Sequence, residues 1–157
     1  MHDEWTPDLL GPGFEQRTLP LDGEVIATLV RRRPDPFARM TGQLRHVDVL
    51  YVHGWSDYFF QTKLAAFWAD RGARFHALDL HGYGRSIRPG QTRGYVTSLD
   101  QYDADIDAAL SAMGRDAGSS RPLVLLGHST GGLTLTLWAA RHPGVAASVI
   151  LNSPWLE

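Results

Sequence analysis

A chain of 157 residues with 43% apolar and 20% charged residues has room for one folded domain with a real core, which excludes a disordered polypeptide. The formal charge of −2 gives no reason to expect nucleic acid as a partner, and the absence of cysteine excludes disulfides, thiol catalysis and thiolate metal sites. The opening MHDEWTPDLL carries acids where a signal peptide needs positive charge, and no run approaches the ~18 apolar residues of a membrane span. The default expectation is a cytoplasmic protein with no membrane span.

Taken in chain order, residues 1–13 read as an amino-terminal extension. FEQRTLPL (14–21) and EVIATLVRRR (24–33) read as two strands around Asp22-Gly23, a strong hairpin-turn pair. The arginine triplet 31–33 reads as a solvated strand end, and 33–43 as a connection rich in Pro and Gly. VDVLYVHGW (47–55) is a mostly apolar strand ending in His53-Gly54. Residues 57–72 predict a helix with Phe60, Leu64, Phe67 and Trp68 on one face and Gly72 as its stop. A strand follows at 73–80, then the turn-rich 81–94. Ser98 with Gln101 predicts a capping box for a helix through about Met113. After a loop at 114–122 come a buried strand at 123–127, a helix at 130–142 and a strand at 147–154. An antiparallel hairpin followed by alternating strands and helices predicts an α/β fold: a mostly parallel sheet with helices on both faces. Ligands of such sheets bind at the carboxyl ends of the strands, where His53-Gly54, His81-Gly82 and Gly127-His128-Ser129 all fall.

The segment LLGHSTGG (125–132) is the most informative stretch. A strand that turns at once into a helix strains its corner residue, often to positive φ, and its neighbours two positions away must be small. Such a corner lifts the Ser129 hydroxyl clear of the sheet and aims the first free N–H groups of the helix at whatever that hydroxyl attacks. An acyl oxygen that becomes negative on attack needs such donors. A bare G-x-S-x-G arises by chance in about one such chain in ten, but an apolar strand before it and an amphipathic helix after it make the pattern specific.

LYVHGWSDYF, ALDLHGYGRS and LLGHSTGG, in this order, resemble the α/β-hydrolase fold, and in particular the monoacylglycerol lipase and lysophospholipase group of serine aminopeptidase-type hydrolases. The likeness runs from about residue 14 to the closing LNSPWLE. It implies a serine hydrolase with a Ser–Asp–His triad and no cofactor. Ser129 would be the nucleophile, and the backbone N–H groups of Trp55 and Thr130 would form the oxyanion hole. The family's D-x-H-G-x-G-x-S turn matches Asp79, His81, Gly82, Gly84 and Ser86, whose role looks architectural.

Other candidates have plainer readings beside functional ones. His53 either props its loop or contacts substrate. Trp55, Tyr58 and Phe59 either line an acyl pocket or belong to the core, with Tyr58 the further candidate for substrate binding. His76, Asp79 and His81 suggest a metal only superficially, since His76 lies on the opposite strand face from the other two. His128 adjoins the nucleophile but points to the other face, and His142 ends a helix, where a cation suits the dipole.

A serine hydroxyl needs a histidine base and an acid to orient it, and in this fold they follow in the order Ser, acid, His. After Ser129 the chain holds only His142 and Glu157. His142 stands about 18 Å along the helix from its start, out of reach. The expectation is therefore the amino-terminal part of a single α/β-hydrolase domain, with a lid and further strands, the triad acid and the histidine lying elsewhere. The function implied is hydrolysis of lipid-like or small acyl esters through an acyl-enzyme on Ser129, with these 157 residues inactive alone. Alternatives are a non-catalytic ligand-binding or scaffold protein of the same fold, and a hydrolase of amide, thioester or carbon–carbon bonds.

Overall fold

The computed structural model describes residues 4–115 and 119–155. Seven strands form one sheet: β1 (Thr6–Pro7), β2 (Phe14–Pro20), β3 (Ile26–Arg32), β4 (Asp48–Val52), β5 (Arg74–Asp79), β6 (Leu123–His128) and β7 (Ser148–Asn152), in the spatial order β1-β2-β3-β5-β4-β6-β7. The first three strands are antiparallel neighbours and β3 is antiparallel to β5. From β5 onward the pairs β5–β4, β4–β6 and β6–β7 are parallel. Four helices complete the fold: α1 (Pro36–Thr41), α2 (Thr62–Ala69), α3 (Asp103–Ala112) and α4 (Thr130–Arg141).

Alternation along the strands sorts the core into two layers. Leu50, Leu78 and Leu125 face Ile106 and Leu110 of α3 and Leu135 and Trp138 of α4. Val49, Tyr51, Phe75 and Ala77 face Ala65 and Trp68 of α2. A strand covered on both sides has no polar face, so all of β4 is buried, as its unbroken apolar run requires. Register then sets the rim: Val52 pairs with Leu78 and with Gly127, which brings the carboxyl ends of β4, β5 and β6 together.

Several boundaries differ from the sequence expectations, each for a local reason. The amino-terminal extension contains β1, and Asp8 beyond it is buried. The hairpin turn is longer than two residues: strand pairing stops at Pro20 and Ile26, and the turn between them holds Gly23 at φ 73°. The connection at 33–43 holds α1, started by Asp35, whose carboxylate accepts from the N–H groups of Phe37 at 2.8 Å and Ala38 at 3.3 Å, with Pro36 at the first position. The helix expected from 57 begins at Thr62, because Asp79 Oδ1 takes the Phe59 N–H at 2.8 Å and holds that stretch outside the helix. Phe60 and Phe67 are consequently exposed, and Ala65, Trp68 and Ala69 form the buried face. The capping box does not form. Ser98 accepts no capping bond, Gln101 turns to Thr97 Oγ1 at 3.0 Å, and a 3-10 turn over Leu99–Tyr102 leads into α3.

Candidate active site

Ser129 stands between the last residue of β6 and the first of α4 with φ 52° and ψ −122°. The left-handed region is costly for a residue with a side chain, and the surrounding backbone holds it there. The Ser129 N–H donates to Asn152 O at 3.0 Å, while its carbonyl accepts from the N–H groups of Gly132 at 3.0 Å and Trp155 at 3.2 Å. The glycines are required by contact. A Cβ on Gly127 would lie 2.4 Å from Gly132 Cα, and one on Gly131 would lie 2.3 Å from His53 O. Neither is possible without moving β4, β6 or α4 apart.

The loop after β4 meets this corner directly. A Cβ on Gly54 would lie 3.0 Å from Ser129 Cβ and 3.3 Å from His128 Cδ2. His53, 1% exposed, fastens the loop: its Nδ1 hydrogen-bonds Gly54 O at 2.8 Å, and its Nε2 accepts the Leu80 N–H at 3.1 Å. Those partners fit a neutral ring with its proton on Nδ1. Burial lowers its pKa, outweighing the opposing pull of Asp79. Both ring nitrogens are thus spent on backbone. Ser56, at φ 54°, bends the chain away after Trp55. Trp55 is exposed, whereas Thr130 Oγ1 is buried without a partner among the described residues. The Thr130 N–H lies ahead of the helical ladder, whose N–H groups begin bonding back at Gly132.

Beside the loop opens a cleft of ≈ 310 Å³, with Trp55, Tyr58, Tyr83, Ile87 and Arg93 among its walls. Trp55 and Tyr58 line it, while Phe59 is fully buried in the core beneath. Its far wall comes from the turn-rich stretch 81–94, which has no periodicity to mark it in the sequence. That wall is held by a buried ionic knot. Arg85 donates to Asp79 Oδ2 at 2.8 Å, to both carboxylate oxygens of Asp8 at 2.7 and 2.9 Å, and to Phe59 O at 3.0 Å. Ser86 Oγ donates to Asp79 O at 2.7 Å. A Cβ on Gly84 would lie 2.4 Å from Tyr58 Cβ, so this glycine lets the two walls close on each other.

The remaining histidines are engaged elsewhere. His81 Nδ1 lies 2.8 Å from Asp105 Oδ2, and its N–H donates to the other oxygen of the same carboxylate. His128 Nδ1 is 3.2 Å from Asn152 O, and His142 stacks on Trp138 at the far end of α4. His76 sits near the start of β5, away from Asp79 and His81. Among the described residues no three histidines, aspartates or glutamates are grouped to hold a metal ion, and no helix is long and apolar enough to cross a membrane.

Residues 45–157 match the family model described as serine aminopeptidase, S33. The human (lyso)-N-acylphosphatidylethanolamine lipase is 34% identical over 80 residues, which is 51% of this chain and 22% of that protein. Phospholipase YtpA of Bacillus subtilis is 32% identical over 111 residues, 69% of this chain and 40% of that one. Among solved structures, a thioesterase domain from the curacin biosynthetic pathway superposes with a TM-score of 0.68 at 27% identity, covering 91% of this chain and 47% of the other. The chain thus spans less than half the length of these relatives, and its mostly parallel sheet with an antiparallel amino-terminal edge is the α/β-hydrolase fold.

Proposed function

Since the chain belongs to the serine aminopeptidase S33 family, we propose that it is the nucleophile-bearing part of a serine hydrolase of lipid-like or small acyl esters. The observation that carries this reading is Ser129 at φ 52° on a strand-to-helix corner, with the Gly54 loop in van der Waals reach. Ser129 Oγ attacks the ester carbonyl, and the oxygen that becomes negative receives the N–H groups of Trp55 and Thr130. The alcohol leaves with a proton, and water cleaves the acyl-enzyme. The cleft walled by Trp55, Tyr58 and Ile87 takes the apolar part of the substrate. His53 acts as a positioning residue, since its ring atoms are occupied by Gly54 and Leu80. No described histidine is set against Ser129, so turnover requires a base supplied from outside the described residues. The described residues alone are therefore expected to be inactive. A thioester is the second reading, supported by the likeness to the thioesterase domain.

The test uses a fluorophosphonate probe and a pair of acyl nitrophenyl ester and acyl thioester substrates on the whole gene product. Ser129→Ala should abolish labelling and reduce turnover by several orders of magnitude. Trp55→Pro, which deletes one N–H, should slow acylation ~10²–10³-fold with the fold intact by circular dichroism. Unchanged labelling of Ser129→Ala would remove that serine from the mechanism.

A further inference from the structure

A second cleft lies at the opposite end of the sheet. Arg32 of β3 pairs with Phe75 at the start of β5, whereas Thr28 pairs with Asp79 at its end, beside the catalytic rim. About 13 Å of strand separates the two ends. The second cleft encloses ≈ 690 Å³, within the range of small-molecule sites.

Its lining joins two chemistries. Five arginines contribute, Arg31, Arg32, Arg33, Arg39 and Arg74, on a chain whose net charge is −2. Between them, Trp5, Met40, Phe75 and Met113 supply apolar wall. The available carboxylates do not neutralise this set. Arg31 and Arg33 share Glu15 at 2.7 and 3.6 Å, and Arg74 shares Asp48 with Arg115 and Arg121. Arg32 and Arg39 have no carboxylate partner among the described residues, and the buried Arg32 Nε lacks any hydrogen bond. His76 also lines the cleft, is 6% exposed, and its Nδ1 has no hydrogen-bond partner.

Unfilled donors in a buried position are costly, and guanidiniums held close together repel one another. A bound anion removes both penalties, because a guanidinium fork matches carboxylate and phosphate oxygens alike. We propose that this cleft is a binding site for an amphiphilic anion, with a carboxylate or phosphate head held by Arg32 and Arg39 and an apolar body laid against Met40 and the edge of Phe75, which shares the Arg32 face of the sheet. The site is separate from Ser129 and stands whether or not the hydrolase reading holds.

Calorimetric titration of the whole gene product tests it, using dodecanoate and dodecyl phosphate below their micelle concentrations, with dodecanol and inorganic phosphate as the two halves. At least one anionic amphiphile should bind at least ~tenfold more tightly than either half, and the tighter of the two names the head group. Arg39→Gln and Arg32→Gln should each weaken binding about tenfold, the loss of one charged hydrogen bond. Arg88→Gln, exposed and outside both clefts, should leave it unchanged. Arg39 is exposed on α1, so its variant decides the matter if Arg32→Gln fails to fold. Equal affinity for dodecanol, or binding unaltered by Arg39→Gln, would overturn the assignment.

Discussion

Asp48 illustrates how much one buried carboxylate can organise. It opens β4, is fully buried, and accepts from Arg74, Arg115 and Arg121 at 2.6 to 2.8 Å. Burial alone would raise its pKa, but the three guanidiniums outweigh that effect and hold it down at about 2, against an ordinary 3.8. A folded-state value below the unfolded one means that the stabilisation is complete above about pH 4 and fades as pH falls through about 2. Its size is about 2 kcal/mol. Asp48→Asn should cost more, about 3 kcal/mol, because it leaves the buried Arg115 guanidinium and its two part-exposed neighbours uncompensated, and it should flatten the acid limb of the stability curve. Urea titrations from pH 2 to 7 measure both quantities. A variant as stable as wild type would show that the arginines find water or other partners.

The entry to α3 gives a contrasting case at the level of elements. Ser98 and Gln101 have the spacing of a capping box, yet Ser98 is exposed and accepts no capping bond. Ser98→Ala should therefore shift stability by less than about 0.5 kcal/mol, not by the ~1 kcal/mol of a true cap. A larger loss of urea midpoint would restore the cap. The sequence was legible wherever one local rule governs an element. Apolar runs mark β4 and β6, and Gly127 and Gly131 mark the corner at Ser129, because backbone packing there excludes any Cβ. It was illegible where a distant partner decides. Nothing near Phe59 announces that Asp79 takes its N–H, and a two-residue strand such as Thr6–Pro7 exists only because Gln16 and Glu15 lie beside it. The same division holds for the candidate site. Ser129 is marked by its own neighbours, whereas Tyr83, Ile87 and Arg93 reach the cleft through a turn held in shape by distant partners, Arg85 with its two carboxylates among them.

At the scale of the whole molecule, β7 is an edge strand that among the described residues pairs only with β6, and Val149, Ile150 and Leu151 are 37 to 39% exposed. Unpaired backbone next to apolar side chains is a template for pairing with another chain. The 157-residue chain should self-associate with rising concentration in sizing chromatography with light scattering, and Ile150→Lys should shift it toward monomer. A monomer at every concentration would mean that this edge is protected. The ionic knot behind the cleft has a different consequence, one of timing. Asp8 and Arg85 are 77 residues apart in the chain. On a ribosome adding ~5–20 residues per second, Asp8 waits about 4–15 s for its partner. Through that interval β2 and β3 can already pair while a carboxylate destined for burial has no counter-ion. The wall that Tyr58 rests against is fastened only after Arg85 emerges, so this side of the rim at Ser129 cannot take shape before about half of these 157 residues have been made.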